Sequence, residues 1–135
     1  MKKSDELIKK LNLLPHPEGG YFKESYRDQY VSLIYYLLTK DEKSHWHRLK
    51  KNEILHFYYG DPLMVYLSED GINTNKKILD LNEKQIPHLV VYKNTWFSME
   101  TKGDFSLIGC TVAPAFDYTD FELAPKNWEP GKKLY

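Results

Sequence analysis

His45 and His47, two residues apart, are followed at a short distance by Glu53, and no other stretch of the chain gathers so much reactive chemistry. On a β-strand, residues two apart point to the same face. The spacing therefore predicts both imidazoles on one face, with Trp46 and Arg48 on the other. Lys50, Lys51 and Asn52 read as a turn. The run Glu53 to Tyr59 is rich in aromatic and branched residues and predicts the next strand. On it, Glu53, Leu55, Phe57 and Tyr59 share one face, and Ile54, His56 and Tyr58 the other. A hairpin would bring two imidazoles and one carboxylate into a pocket lined by apolar and phenolic groups. Gly60-Asp61-Pro62 closes the second strand with turn chemistry.

Three readings of that constellation are open. Two His and one carboxylate suit Zn, Fe, Mn or Ni. A buried His and Glu with pKa values moved toward neutrality suit metal-free acid–base catalysis. In the third reading the residues are polar groups satisfied in a barrel or exposed on its rim. That last reading leads for an isolated His-x-His pair; Glu53 and Gly60 shift the balance toward function.

The elements that must position these residues are short. Ser4 is placed to cap a helix with Asp5 and Glu6 in its first turn. Leu7, Ile8, Leu11 and Leu14 follow helical spacing, and Pro15 stops the helix. It would pack on a sheet or a partner subunit. Pro15-His16-Pro17-Glu18-Gly19-Gly20 is a rigid turn followed by a flexible one. Joining helix to strand explains most of it, and His16 and Glu18 form a lesser candidate pair facing a ligand. Strands follow at Tyr21 to Tyr26, Val31 to Thr39, Leu63 to Leu67, Lys76 to Leu81, His88 to Tyr92, Thr95 to Met99 and Ser106 to Val112. Many short strands with turns between them argue a sandwich or barrel.

The chain has 135 residues, equal numbers of basic and acidic side chains and a formal net charge of zero, which suits one ordinary globular domain and no nucleic acid. Aromatic residues reach 15%, with eleven Tyr, which suits a ligand pocket, an interface or simply a β-rich core. The single Cys110 excludes an internal disulfide and sits in an apolar run as an inert thiol. With no signal-peptide pattern and no membrane-length apolar stretch, a cytoplasmic protein without membrane partners is expected.

His45-Trp46-His47, then Glu53, then Gly60 resembles the first signature motif of the cupin superfamily, with a slightly long gap between His47 and Glu53. Leu14 to Phe22, Ser44 to Arg48, Asn52 to Leu63 and Leu107 to Tyr118 are together similar to a group of small single-domain cupins catalogued as a domain of unknown function. The resemblance covers nearly the whole chain. It implies an all-β fold, a double-stranded β-helix or cupin jelly-roll barrel with a short N-terminal helix. One cupin domain over 1–135 is expected: helix and turn at 1–20, barrel at 21–123, tail at 124–135.

A metal-binding cupin takes a further His from a second motif near a Pro-x-Gly turn. The matching stretch, Tyr92 to Phe97, has neither Pro nor Gly, and Trp96 or Phe97 stands at the His position. Metal ligation is left to His45, His47 and Glu53 with no fourth ligand, so either no cofactor or a weakly bound divalent metal is expected. The resemblance then implies a small polar ligand, and metal-independent epimerase or isomerase chemistry on a sugar or nucleotide-sugar. His47 or His56 would be the base, Glu53 its orienting group, and Tyr59 or Tyr36 the acid, with Arg48 or Lys23 holding an anionic group. Other ligand contacts are expected from His45, Trp46, Phe57 and Trp96. The alternatives are a metal-dependent oxygenase using His45, His47 and Glu53, and a non-catalytic small-molecule binding module. A homodimer through the sheets and the N-terminal segment is also expected.

Overall fold

Short runs of branched and aromatic residues, cut by Gly, Asn and Asp turns, carry the chain through one helix and eleven strands. The structure is a computed structural model that describes Met1–Tyr135. Helix α1 spans Lys3–Lys10, and the strands are β1 Leu14–Pro15, β2 Tyr21–Arg27, β3 Ser32–Thr39, β4 Lys43–Leu49, β5 Asn52–Gly60, β6 Leu63–Ser68, β7 Asn75–Leu79, β8 His88–Val91, β9 Trp96–Thr101, β10 Phe105–Ala113 and β11 Phe121–Leu123. They form two antiparallel sheets, one of six strands ordered β1-β2-β3-β10-β5-β8 and one of five ordered β11-β4-β9-β6-β7. The fold is all-β, as expected: a jelly-roll sandwich whose sheets face one another without closing into a continuous barrel.

The inner faces meet in an apolar core. Leu38, Leu55, Phe57 and Ile108 come from the larger sheet, and Leu63, Val65, Leu79, Phe97 and Met99 from the smaller. Each such side chain contributes about 1.5–3 kcal/mol on burial. Helix α1 lays Leu7, Ile8 and Leu11 against Leu13, Leu37, Phe105 and Leu107 on the outside of the larger sheet. Two expectations at this end are corrected. Ser4 lies inside the helix and is buried, while Lys2 is the N-cap without a side-chain hydrogen bond. The helix ends at Lys10 with Leu11 as its C-cap, and Asn12, whose φ is 56°, turns the chain away before Pro15 is reached. Leu14 is therefore outside the helical stripe and pairs with Phe22.

The expected hairpin between the strands of His47 and Glu53 is also corrected. Strand β4 pairs with β9 and β11, whereas β5 pairs with β10 and β8. The intervening Lys50-Lys51 link is a corner between sheets. His47 and Glu53 thus look into the interior from opposite walls.

Three β-bulges decide which residues share that interior. On β4, Ser44 pairs with Met99 and His47 with Phe97, so three residues span what two span on β9. On β5, Phe57 pairs with Ile108 but Tyr59 with Leu107. On β2, Glu24 pairs with Ile34 and Tyr26 with Leu33, which returns Arg27 to the face of Glu24. Each bulge inverts the alternation beyond it.

The residues after β11 dock on the outside of the smaller sheet. Ala124 and Trp128 bury Trp96 there, and the Ala124 N–H donates to the Trp46 carbonyl at 2.9 Å.

Candidate functional site

Between β2 and β3 on one sheet and β4 and β11 on the other lies a cavity of about 310 Å³. One of its buried carboxyls is that of Glu18, and the turn before β2 puts it there. Gly19 and Gly20 adopt φ of 111° and 81°. A Cβ at Gly19 would collide with the Lys43 carbonyl oxygen, and one at Gly20 with the Tyr36 ring and Leu38. The turn is pinned on all sides. His45 N–H donates to the Glu18 carbonyl at 2.8 Å, Gly20 N–H donates to Glu42 Oε2 at 3.0 Å, and the Tyr36 hydroxyl donates to the Gly19 carbonyl. Burial pushes the Glu18 carboxyl up to about 7, against the lowering effect of His16.

His47 enters from β4. Its Nδ1 lies 2.7 Å from the His45 carbonyl oxygen and 3.0 Å from Glu18 Oε2. A carbonyl oxygen only accepts, so Nδ1 carries the hydrogen and Nε2 keeps its lone pair. Burial pulls the His47 pKa down to about 4, which leaves the ring neutral at pH 7. Glu53 enters from β5, in register with Val112 and Val91. Burial pushes its carboxyl up to about 8, and the neighbouring Glu18 charge pushes the same way. The Cys110 thiol beside it is buried and pushed well above its ordinary value, in keeping with an inert role.

The mouth is polar and aromatic. Arg27 grips Glu24 through Nε and Nη2, both at 2.8 Å, and its Nη1 donates to the Phe116 carbonyl at 2.8 Å. Phe116, Tyr118 and Phe121 form the wall made by the connection from β10 to β11. Lys51 ties that connection down through the Ala115 carbonyl at 2.8 Å and Asp120 at 2.7 Å.

Of the leading candidates from the sequence, His47, Glu53 and Tyr36 line this cavity. The others lie elsewhere. His45 sits in the β4 bulge and its Nε2 is 3.0 Å from the Pro125 carbonyl, outside the sheet. Trp46 packs edge-on to Trp128. Arg48 lies 4.3 Å over the Trp96 ring and pairs with Glu122 at 2.8 Å, so both Arg48 and Trp96 belong to the outer face. Phe57 faces inward but into the dry core. His56 points outward and is 3.0 Å from Thr111 Oγ1. Tyr59, beyond the β5 bulge, is 50% exposed and stacks on Phe105. His16 and Glu18, the lesser pair, are in the cavity, and Glu24, Arg27 and the aromatic wall join them. The two consecutive glycines after Glu18 were the available signal for the turn. Nothing in the local sequence marks the bulge that aims Arg27.

A metal centre of His45, His47 and Glu53 is not assembled, because His45 faces the C-terminal segment. No group of three or more His, Cys, Asp or Glu is spaced to hold an ion. The Phe97 ring lies 4.1 Å from the His47 ring and fills the space beside it. The residues present do not fit that three-ligand centre.

An antiparallel jelly roll with an ionisable cavity between its sheets is the plan of a cupin. The chain belongs to the family described as Cupin superfamily (DUF985), whose model matches residues 5–124. The structure is similar to that of a protein from Shewanella oneidensis, which is 36% identical with a TM-score of 0.87 over 91% of this chain and 85% of the other. It is also similar to a hypothetical protein from Leishmania major, at 26% identity and a TM-score of 0.80 over 90% of this chain and 86% of that one. Oxalate decarboxylase from Bacillus subtilis, at 10% identity and a TM-score of 0.66 over 81% of this chain and 29% of that one, shares the fold alone. No curated protein matches the chain in sequence.

Proposed function

We propose that the cavity binds a small polar, carbonyl-bearing molecule such as a sugar and moves a proton on it by metal-independent acid–base catalysis, as an epimerase or isomerase does. The observation that carries this reading is the burial of Glu18, His47 and Glu53, each at most 8% exposed, around one cavity. Burying ionisable groups costs folding free energy, so their collection in a ligand-sized space argues for use.

The roles follow from the hydrogen bonds. Glu18 and the His45 carbonyl hold His47 with Nδ1–H turned away and the Nε2 lone pair free to accept a proton. Glu18 therefore takes the orienting role that the sequence suggested for Glu53. Glu53, protonated at pH 7, is a proton donor on the opposite wall. Removal on one face and return on the other inverts or shifts a stereocentre next to a carbonyl. Tyr36 is committed to the Gly19 carbonyl and serves as a strut.

The test is solvent deuterium incorporation into keto sugars, followed by NMR. Wild type should incorporate deuterium, and His47→Gln and Glu53→Gln should each lose about 10²–10⁴-fold in rate. Wild-type rates in folded His47→Gln protein remove the base from the scheme. The aromatic wall of Phe116, Tyr118 and Phe121 favours a second reading, a non-catalytic binder that stacks a ring. A ligand that raises the melting temperature without any proton exchange supports it.

A further inference from the structure

Two imidazoles face the cavity, and Glu18 touches both through different atoms. Its carboxylate oxygen lies 3.0 Å from His47 Nδ1. Its backbone N–H donates to His16 Nδ1 at 3.0 Å. A backbone N–H can only donate, so His16 Nδ1 is the bare nitrogen and the hydrogen sits on Nε2. The two rings are thus fixed in opposite tautomers, His16 by the Glu18 N–H and His47 by the His45 carbonyl.

We propose that His16 is the hydrogen-bond donor for the oxygen of a carbonyl ligand, offering a neutral Nε2–H while His47 offers a neutral Nε2 lone pair. This rests on the acid–base reading of the cavity and adds the group that would hold the developing oxyanion.

The surroundings of His16 fit a fixed donor. Its side chain is 9% exposed, its ring stands edge-on to Phe22 at 4.5 Å, and the ring lines the cavity. Rigid prolines on both sides, Pro15 and Pro17, limit its backbone. Its Nε2 has no partner within the protein, yet it is not among the fully enclosed unpaired atoms, so it is open to a ligand. Burial and the neighbouring His47 lower its pKa, with Glu18 opposing. A neutral donor suits an enolate because it stabilises the oxygen without neutralising it fully.

The proton balance closes without a co-reactant. The ligand C–H bond breaks, its proton goes to His47 Nε2, and its electron pair forms the C=C of the enolate. The enolate oxygen accepts from His16 Nε2–H, which keeps its proton. Glu53 returns a proton to the carbon from the opposite wall, and solvent restores His47 and Glu53 after release. The ligand class is a neutral carbonyl compound with hydroxyl groups, because Arg27, the one cation lining the cavity, is already paired with Glu24.

The test is a long-range proton–nitrogen spectrum of the ¹⁵N-histidine-labelled full chain at pH 7, assigned with His16→Phe and His47→Phe proteins. The expected result is His16 protonated at Nε2 only and His47 at Nδ1 only. Protonation of His16 at Nδ1, or at both nitrogens, overturns the proposal whatever the protein catalyses. Deuterium exchange on D-fructose is the second arm. His16→Phe should slow exchange by about 100-fold or more through kcat, and His16→Gln, which keeps an N–H donor, should recover most of it. A wild-type rate in folded His16→Phe protein also overturns it. Absence of exchange in wild type, with the tautomers as stated, sinks the proton-transfer reading and leaves the donor assignment standing.

Discussion

Leu55 and Glu53 leave β5 two residues apart, on the same face of the same sheet, and meet opposite surroundings. Leu55 is fully buried among Leu63, Val65, Phe97 and Met99 in the dry half of the sandwich. Glu53 looks into the half that holds Glu18, His47 and the cavity. The dry half is packed by dispersion and the hydrophobic effect, so its side chains stabilise the fold. The cavity half contains carboxyls and imidazoles taken out of water, which cost stability unless paired. The difference teaches that one end of the interior supports the fold while the other gathers ionisable groups around a cavity at a cost in stability.

The largest test of that division is Leu55→Ala. It should destabilise the protein by about 3–5 kcal/mol in urea denaturation, through lost contacts and a cavity that cannot collapse. A loss below about 1 kcal/mol would mean that the dry half is not close-packed.

Next is pH. The folded Glu18 and Glu53 hold protons up to about 7 and about 8, above the ordinary carboxyl value of 4.5. Between pH 4.5 and 8 the folded state thus binds more of these protons than the unfolded state, and their contribution to stability falls as pH rises. His47 works the other way: its pKa of about 4 lies below 6.5, so its contribution is lost as pH falls from 6.5 toward 4. The lowered His16 acts in the same direction as His47, so both cavity imidazoles oppose the carboxyls below pH 6.5 and neither does above it. Stability should therefore decline from about pH 6.5 to pH 8. Glu53→Gln should flatten that decline by about 1.4 kcal/mol per pH unit, whereas Leu55→Ala should leave the slope intact. An identical slope in wild type and Glu53→Gln breaks the assignment.

A smaller effect with the opposite sign is expected from Glu53→Leu. Replacing the buried carboxyl with an apolar side chain should raise stability at pH 8 by about 1–2 kcal/mol while abolishing proton exchange. A destabilised variant would show that Glu53 is structural. The smallest effect belongs to the outer face. His56→Ala should change stability by less than about 0.5 kcal/mol and leave exchange unaltered, because His56 lies across the sheet from the cavity.

Periodicity made most strands legible, because apolar alternation and Gly or Asn turns mark them. The residue order around His47 and Glu53 carried the cupin likeness. What alternation does not carry is a bulge. Between Ser44 and His47 one extra residue turns His45 out to Pro125. Between Phe57 and Tyr59 another turns the phenol out to Phe105. Between Glu24 and Tyr26 a third turns Arg27 in. Each inversion comes from long-range pairing, which a local pattern does not encode. Glu18 stood only as a lesser candidate for a related reason. It lies in a turn, where no period assigns a face, and its burial depends on two glycines fitting against β3 and β4. Arg48 and Trp96 read as pocket residues because the sequence does not show that the C-terminal segment covers them.

The central claim is that the carboxyls of Glu18 and Glu53 in the cavity titrate near neutral pH. Carbon-13 NMR titration of glutamate δ-labelled protein, with Glu18→Gln and Glu53→Gln for assignment, measures it directly. The account predicts one glutamate titrating near pH 7 and another near pH 8. Titration of every glutamate below pH 5 would contradict it.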